Sequence, residues 1–508
     1  MSKRGARSTR SKTRDPVQEQ PDWEQPQMRF EPLRAVSDDE LEAIHLASLE
    51  VLATTGIDFL DDQAKEQLAD AGADVSGNRV RFDSDLIEGL VKLAPSEFLL
   101  HGREPHRDLV FGGNHLIFTS VASPPFVTGF GRGRRDGNRE DYRNLIKMGQ
   151  VLNSVHTVAG YPVEPMDLHP SIRHLEASYD MLTLSDKVPF VYSLGKQRNR
   201  DVIEMVRIAR GVDAKTMDQQ PSLYSVINAS TPLRYDAPML QGIQEMSSRN
   251  QLIVITPFTL AGAMAPVTIA GALVLQNAEA LAGVAYTQVV RKGAPVAYGG
   301  FTSNVDMRSG SPAFGTPEYW KACLIGGQLA RRYGLPYRSS NVNASNSVDA
   351  QSAYESTIAI WGAVMGGVNL LLHGTGWLEG GLLTSYEKFV IDADILNMVT
   401  EMLRPITVDD ATLAVEAIAE VGPAGHFFGS PHTQERYESE HFQPMVSSWS
   451  NYESWEESGR LEAHHRAEAL AKTIVAAHTE PPFDPERRRQ LDEFLARRVA
   501  EGGVPTDY

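Results

Sequence analysis

Residues 336–345 read PYRSSNVNAS and residues 370–381 read LLLHGTGWLEGG, and a helical pattern lies between these two β-rich runs. The helical pattern consists of four apolar side chains spaced at i, i+4, i+7 and i+11: Tyr354, Ile358, Trp361 and Met365. A β-rich run, a helix and a second β-rich run form the crossover that two parallel strands require. This stretch therefore predicts one β/α unit of a parallel sheet.

Runs of the same kind begin at eight places in the chain, at residues 115, 156, 189, 222, 252, 295, 336 and 370. Successive starts lie 30 to 43 residues apart, so each interval has room for a helix and two loops. Eight consecutive β/α units are typical of an α/β (β/α)8 TIM barrel, which we predict for residues 111–405. The alternative is a doubly wound open sheet. Its GxGxxG fingerprint is not matched by GFGRG at residues 129–133, so dinucleotide binding is discounted.

Three segments flank the predicted barrel. The N-terminal sequence MSKRGARSTRSKTR contains six basic residues and no acidic one, so residues 1–28 are predicted to form a disordered basic tail. Order is expected to begin near Ser37, because Ser37-Asp38-Asp39-Glu40 has the spacing of a capping box. Residues 29–110 are predicted to form a helical N-terminal extension, and residues 406–508 a C-terminal helical segment.

The 508 residues include 48 basic and 65 acidic side chains, which gives a formal net charge of −17. This negative charge opposes binding to phosphate backbones, so no nucleic-acid partner is expected. Cys323 is the one cysteine, which excludes an intramolecular disulfide and cysteine-rich zinc or iron–sulfur sites. No apolar run reaches the ~20 residues of a membrane span, and no signal-peptide pattern follows the basic start. We therefore expect a cytoplasmic protein without membrane contact.

In barrels of this kind the active site lies at the carboxyl ends of the strands. The predicted strand ends carry aromatic, amide and glycine residues, with one conspicuous carboxylate, Glu379, and one conspicuous histidine, His373. Trp377 and Glu379 share a side if their strand continues. The strand ends offer no lysine for a Schiff base, no GxSxG motif and no metal-ligand spacing, so no metal is expected. Aromatic faces beside a single carboxylate predict a pocket for a neutral or cationic group such as a quaternary ammonium.

Several stretches of the chain resemble the trimethylamine methyltransferase family. They are IHLASLEVLATTGIDF (44–59), GAPVAYGGFTSNVDMRSGSPAFGTPE (293–318), DAQSAYES (349–356), HGTGWLEGGLLTSYEKFVIDADIL (373–396) and GHFFGSPHTQERY (425–437). The resemblance extends from about residue 30 to 480 and implies a (β/α)8 barrel. It also implies transfer of a methyl group from a methylated amine to the cobalt of a corrinoid protein. Ordinary residues, SSNVN at 339–343, precede DAQ, so the chain resembles the branch without pyrrolysine, which includes glycine betaine methyltransferases.

Site roles are assigned from the strand ends and from this resemblance. The candidate catalytic residues are Glu379, His373 and Asn343. The candidate substrate-binding residues are Asn228, Phe258, Tyr298, Phe301, Trp377 and Tyr386. Five glycines are assigned to cofactor binding, because they leave room for a large planar macrocycle: Gly299, Gly300, Gly374, Gly376 and Gly380.

Structural roles remain open for several of these residues. One of Tyr298 and Phe301 could simply fill the barrel, and His373 could be an interior histidine bonded to a neighbouring strand. Asn343 could cap the following helix, and Asp349 is most simply the N-terminal charge of that helix. The glycines could serve only to make tight turns.

The resemblance implies a glycine betaine-like quaternary amine as substrate. It also implies a corrinoid (cobalamin) supplied by a separate partner protein, with no cofactor bound by this chain itself. The DxHxxG motif of corrinoid-binding domains is absent from the sequence. Two other functions stay open. The chain could be a barrel lyase or hydrolase acting on a methylated amine, or a non-catalytic protein that binds or senses quaternary amines.

An aromatic segment near the C-terminus bears on assembly. The sequence SSWSNYESWEESG, residues 447–459, contains Trp449, Tyr452 and Trp455. This is more aromatic surface than a short loop normally leaves in water. We therefore expect the segment to pack on the barrel or between subunits, and we predict a homo-oligomer.

Overall fold

A computed structural model of the chain describes residues 20–192 and 194–505. Eight short parallel strands form its central sheet, and we number them barrel strands 1 to 8. Their bounds are Ile117–Ser120, Thr157–Val158, Val188–Pro189, Tyr224–Ile227, Leu252–Ile255, Val296–Gly299, Tyr337–Ser340 and Leu370–Thr375. Neighbours in the chain are neighbours in the sheet, and strand 8 pairs with strand 1. A parallel bridge between Phe190 and Tyr224 joins strands 3 and 4 and closes the ring. The predicted barrel is confirmed.

One long helix follows each strand, and we number these barrel helices 1 to 8. Their bounds are Arg139–Val151, Pro170–Leu184, Gly195–Arg210, Ala237–Ser248, Ile269–Val290, Pro317–Tyr333, Ala350–Met365 and Tyr386–Leu403. A single turn, Ala214–Met217, follows barrel helix 3. Most of these helices are preceded by a capping residue. Its side chain accepts a hydrogen bond from a backbone N–H in the first turn of the helix, which would otherwise be unpaired. Asp349 accepts from Ser352 N in this way, which confirms its predicted role at the start of barrel helix 7.

Barrel helix 5 is the one helix in the described part of the chain that is long and apolar enough to span a membrane. However, 78% of its most apolar window is buried inside the protein. The helix packs between the barrel and the N-terminal helices, and burial on all sides accounts for its apolar composition.

The N-terminal extension is of mixed α and β structure, which corrects the prediction of a helical unit. Its helices are Asp38–Glu50, Asp62–Asp70 and Ser84–Val91, with a π-helical turn Val51–Thr55 and a 3-10 turn Pro105–Arg107. Its strands are Ile57–Phe59, Asp74–Ser76, Arg79–Arg81, Glu97–Leu100 and Leu109–Gly112. Two of these strands, Asp74–Ser76 and Arg79–Arg81, pair as a hairpin whose sequence is DVSGNRVR, residues 74–81. Polar and apolar residues alternate there around a Gly-Asn turn, which is a strand pattern.

Residues 20–28 also differ from the prediction of a disordered tail up to residue 28. The Gln25 side chain donates to Val110 O and accepts from Val110 N, and Met28 is buried. Gln27 forms an antiparallel bridge with His115. This segment is therefore held by backbone and side-chain bonds that its polar composition does not reveal. The rest of the predicted tail, residues 1–19, lies outside the described residues.

Additional strands surround the carboxyl ends of the barrel strands. Phe126–Gly129, Arg132–Asp136, Trp377–Leu378 and Leu383–Ser385 form one sheet there. Phe258–Ala261, Phe301–Val305 and Pro312–Ala313 form a second sheet. Arg234–Tyr235 pairs with strand Ile57–Phe59 of the N-terminal extension. A 3-10 turn, Glu379–Gly381, completes this end of the barrel.

The C-terminal segment has two parts that differ in burial. Helix Ala463–Ala477 packs on barrel helices 8 and 1, and helix Pro485–Ala500 packs on barrel helices 2 and 3. Residues 406–461, which we call the exposed arm, precede them. The arm contains the short helices Asp410–Leu413, Val415–Val421, Pro431–Arg436 and Tyr452–Glu457 and the 3-10 turn Phe427–Gly429. Within the arm only Ser430 and Val446 are buried.

Candidate active site

A cavity of about 280 Å³ opens at the carboxyl ends of the barrel strands. This volume suits a small ligand, because it lies just below the ~300 to 1,000 Å³ of drug-sized pockets. The lining comes from barrel strands 4, 7 and 8, from the start of barrel helix 4, and from segments that follow most of the barrel strands. Its aromatic and polar members are Ser123, Phe190, Tyr192, Asn228, Thr256, Phe258, Phe301, Arg338, His373 and Trp377.

One wall of the cavity is aromatic. Phe301 lies centrally in this wall, with its ring centroid 5.9 Å from that of Trp377 and 5.0 Å from that of Phe258. Phe314 packs behind Phe301 and Trp377 without lining the cavity. Four of the predicted substrate-binding residues, Asn228, Phe258, Phe301 and Trp377, thus lie together around one cavity.

Arg338 lines the same cavity from barrel strand 7 and was missed in the sequence analysis. Its side chain is fully buried, and no carboxylate in the described chain forms an ion pair with it. Its guanidinium makes one long bond, of 3.5 Å, from Nη1 to Gly300 O. Burial lowers its pKa to about 10, so the group remains charged at neutral pH. A buried cation without an anion is costly, so this position is a candidate site for a negative group.

Three buried polar atoms on cavity-lining side chains have no hydrogen-bond partner among the described residues. They are Arg338 Nε, Thr256 Oγ1 and Trp377 Nε1. Buried polar groups in native proteins are nearly always paired, with protein, water or ligand. The residues that line the cavity therefore carry two N–H donors and one hydroxyl whose hydrogen bonds are unmet among the described residues.

His373 lies beside the aromatic wall, where it was predicted. Its φ of +55° is rare for a residue other than glycine, and the pairing of barrel strand 8 with strand 1 is irregular at this point. The ring lies against Trp377, with 3.9 Å between the centroids, and Nδ1 lies 3.1 Å from Ser340 Oγ. Burial, followed by the charge of Arg338, holds the pKa of His373 well below its ordinary value of 6.5. The neutral ring is therefore a hydrogen-bonding group at pH 7.

Glu379 does not face the cavity, which corrects the expectation of a carboxylate in the aromatic pocket. Its Oε2 accepts from Arg134 Nε at 2.9 Å. The strand that carries Trp377 ends at Leu378, and the 3-10 turn begins at Glu379 with a φ of +50°. Because the strand stops there, Trp377 and Glu379 do not share a side. Among the described residues that line the cavity, Arg338 carries the only charge, and it is positive.

Asn343, Tyr298 and Tyr386 are also placed outside the cavity lining. Asn343 is buried and donates to Ser352 O at 2.9 Å, so it fastens the start of barrel helix 7. The Tyr298 hydroxyl donates to Asn277 Oδ1, and the Tyr386 hydroxyl donates to a carboxylate oxygen of Asp141. The sequence leaves open that one of Tyr298 and Phe301 could simply fill the barrel. Tyr298 is the one that does so, since Phe301 lines the cavity and Tyr298 does not.

Of the five glycines predicted to admit a macrocycle, only Gly380 lines the cavity. A Cβ on Gly299 would collide with Thr256 and with Ile255 O, and one on Gly374 would lie 2.9 Å from Thr119 O. Cβ atoms on Gly300 and Gly376 would also meet protein atoms at 3.1 to 3.2 Å. Close packing within the protein accounts for these four glycines, so the prediction that they leave room for a macrocycle is corrected.

One cluster of potential metal ligands occurs in the described residues, Glu462, His464 and His465. These side chains lie at the surface near the start of helix Ala463–Ala477, outside the cavity.

Comparison with known proteins decides the family. A family model for trimethylamine methyltransferases matches residues 3–503. The chain belongs to the trimethylamine methyltransferase family. It is therefore a methyltransferase, as the resemblance implied.

Individual relatives of this methyltransferase support the same assignment. Glycine betaine methyltransferase of Desulfitobacterium hafniense strain Y51 is 36% identical over 469 residues, which cover 92% of this chain and 98% of that protein. Trimethylamine methyltransferase MttB of D. hafniense strain DCB-2 is 29% identical and aligns with 93% of this chain and 95% of its own length. The crystal structure of a hydroxylamine complex of MtmB has the same fold, with a TM-score of 0.51 at 11% identity. The match covers 93% of this chain and 89% of the MtmB chain.

Glu279 of this methyltransferase is a buried carboxyl on barrel helix 5. It accepts from Leu233 N at 2.6 Å and from Thr231 Oγ1 at 2.8 Å, and so holds the loop that follows Asn228. Burial raises its pKa from the ordinary 4.5 to about 7. Because the pKa is raised in the folded state, the folded protein binds this proton more tightly than the unfolded chain does. The contribution of Glu279 to the free energy of unfolding is therefore full below pH 4.5 and is lost as the pH rises to about 7.

We expect Glu279→Gln to remove this pH dependence. The free energy of unfolding of the unmodified protein should fall by about 3 kcal/mol between pH 4.5 and pH 8 because of this group. The glutamine variant should therefore gain about that much stability relative to the unmodified protein over the same range. Urea unfolding at several pH values measures the difference, and parallel pH profiles for the two proteins would contradict the expectation.

Proposed function

We propose that this methyltransferase takes a methyl group from a zwitterionic quaternary amine of the betaine type and passes it to the cobalt of a corrinoid bound to a separate protein. The observation that carries the proposal is the unpaired, buried Arg338 beside an aromatic wall. An aromatic wall alone suits any quaternary ammonium. An aromatic wall next to a buried cation suits a ligand that carries a quaternary nitrogen and a carboxylate together.

The two recognition elements are close enough to serve one small ligand. Arg338 Cζ lies 5.2 Å from the ring centroid of Phe301, so the guanidinium and the aromatic wall are adjacent. The carboxylate would accept from the Arg338 guanidinium and from neighbouring donors, and the methylated nitrogen would lie against Phe301 and Trp377. Charge-assisted bonds to a carboxylate are roughly twice as strong as neutral ones, and cation–π contacts contribute up to about 2 kcal/mol when desolvated.

The same arrangement disfavours amines that lack a carboxylate. A simple cation such as choline or trimethylammonium would bring a second positive charge next to Arg338, with no anion to offset it. The similarity to a protein named glycine betaine methyltransferase points to the same substrate class.

The residues of the cavity fit methyl transfer without proton transfer. A bound corrinoid supplies a Co(I) nucleophile that accepts the methyl group. As the N–CH3 bond breaks, its electron pair stays on nitrogen, and the leaving group is a neutral tertiary amine. Neutral His373 and the charged Arg338 are consistent with this chemistry, because neither has to act as an acid or a base. Their contribution is orientation and exclusion of water.

The corrinoid must approach from outside, since a cavity of about 280 Å³ holds only a small ligand. Exposed apolar side chains lie on segments that follow five of the barrel strands at their carboxyl ends: Met166, Tyr192, Val267, Met307 and Leu382. Tyr192 and Leu382 also line the cavity. Exposed apolar side chains at one end of a barrel are typical of a protein-docking surface. It supports a separate partner protein that carries the corrinoid.

A panel of three ligands tests the proposed recognition. Glycine betaine should bind, measured by titration calorimetry, whereas choline lacks the carboxylate and 3,3-dimethylbutanoate lacks the positive charge. We expect both of these to bind about a hundredfold more weakly, since each loses one of two desolvated contacts. Equal affinity for choline and glycine betaine would refute the role of Arg338.

A further inference from the structure

The exposed arm, residues 406–461, leaves an unusual amount of apolar surface in water. Eleven large apolar side chains of the arm are 43% to 89% exposed in the described chain. They are Ile406, Val408, Leu413, Val415, Ile418, Phe427, Phe428, Tyr437, Trp449, Tyr452 and Leu461. The stretch GHFFGSPHTQERY, which resembles the methyltransferase family, lies within the arm and outside the cavity lining.

The arm is ordered although it buries almost nothing on its own chain. Its short helices begin at capping side chains such as Asp409, Ser430 and Asn451. Its base is fixed by Asp394, whose carboxylate accepts from Met445 N at 2.8 Å and from Val446 N at 3.1 Å. Helices this short are not stable in water by themselves, so an ordered arm needs a surface to pack against.

The exposed area is large enough for a stable interface. The eleven side chains expose on the order of 1,000 Å² of apolar surface, taking ~150 to 250 Å² for each aromatic group. A standard interface buries ~800 Å² on each partner, whereas the largest apolar patch of a typical monomer is ~300 to 600 Å². The arm therefore has the size and composition of a permanent subunit contact.

The charge of the arm indicates which protein covers it. Residues 406–461 contain ten acidic and two basic residues, whereas the first 14 residues of the chain contain six basic and no acidic ones. The N-terminal part of the described chain reaches the base of the arm, where Glu24 pairs with Arg404. The basic N-terminal segment of a second copy thus offers charge opposite to that of the arm.

We infer that the arm packs on a second copy of the chain. Each copy donates its arm to the other, which gives a two-fold symmetric contact with the same residues on both sides. A corrinoid protein that comes and goes during turnover would leave this apolar surface in water for part of each cycle. A second copy covers it at all times. Apart from that comparison, the inference is independent of the proposed substrate and of the corrinoid partner.

Sedimentation velocity of the full-length protein, without any added partner, tests the inference. Between about 0.1 and 10 µM we expect a species of at least twice the chain mass of 55.9 kDa. The double variant Phe428→Asp, Trp449→Asp should weaken association about a hundredfold, because it places two charges in an apolar contact. Leu46→Asp is the matched control, since Leu46 is 55% exposed and lies outside the arm. Its association should be unchanged.

A species of 55.9 kDa at all concentrations would overturn the inference, and so would an arm variant that associates as tightly as the unmodified protein. Loss of association in the Leu46 variant alone would also overturn it, because the contact would then lie elsewhere. Hydrogen exchange on the unmodified protein provides a measurement that needs no variant. Amides of residues 406–461 should be protected in the oligomer and should lose protection on dilution. Fast exchange at every concentration would contradict the inference.

Discussion

Arg338→Met is expected to lower kcat/KM for glycine betaine by about a thousandfold and, at the same time, to stabilise the fold. Removing one partner of a buried, hydrogen-bonded charge pair costs 2 to 5 kcal/mol, and about 4 kcal/mol corresponds to a thousandfold change. In the free protein the same guanidinium is buried without an anion. Replacing a buried ion with an apolar side chain of similar length should raise the free energy of unfolding by about 1 to 3 kcal/mol.

Opposite changes in activity and stability distinguish a binding role from a structural one. Arg331→Met is the control, because Arg331 also donates to a backbone carbonyl, that of Gly366, but is exposed and lies outside the cavity. We expect it to leave kcat/KM for glycine betaine within a few fold of the unmodified enzyme. An Arg338 variant that keeps its activity towards glycine betaine, or that loses stability as well as activity, would rule out the proposed carboxylate site.

The second large effect is expected at the aromatic wall. Trp377→Ala and Phe301→Ala should each weaken binding of glycine betaine about tenfold, through loss of one cation–π contact of about 1 to 2 kcal/mol. The double variant should lose about a hundredfold. Its value will depart somewhat from additivity, because the two rings are in contact.

Two comparisons separate the cation–π effect from general damage to the pocket. Phe314→Leu alters the packing behind the same rings but does not face the cavity, so it should change the affinity little. The ligand 3,3-dimethylbutanoate, which has a carboxylate but no positive charge, should lose less affinity than glycine betaine in the Trp377 and Phe301 variants. Equal losses for the two ligands would mean that the rings act only through apolar contact.

The barrel could be predicted from the sequence because its signals are local. Each β-rich run and each helical pattern lies within a few tens of residues, and their spacing admits few other folds. The positions of Phe301, Trp377 and His373 followed from the same count, since strand ends are where a barrel presents its ligand-binding side chains. The hairpin in the N-terminal extension was missed because its strands are only three residues long.

The charges of the site could not be assigned in the same way. The Glu379–Arg134 pair joins residues 245 positions apart, and it depends on a strand that folds over the end of the barrel. Sequence spacing gives no access to such a contact. Arg338 did leave a signal, because a charged residue inside the short run PYRSSN is unusual for a buried strand. The number of free positive and negative charges in the cavity decides between a simple cation and a zwitterion, and only the folded structure provides it.

The most direct test of the proposed function is methyl transfer itself. Purified protein is mixed with glycine betaine and Co(I) cobalamin, or with a Co(I) corrinoid protein, and the visible spectrum is followed together with the amine product. We predict formation of methyl–cobalt and of one dimethylglycine for each methyl group transferred, with much slower transfer from choline and about a thousandfold lower kcat/KM for the Arg338→Met variant. Cobalt that stays unmethylated with free cobalamin and with the corrinoid protein alike, for every quaternary amine tested, would contradict the proposal. Consumption of glycine betaine without any corrinoid would contradict it as well and would favour a lyase or hydrolase.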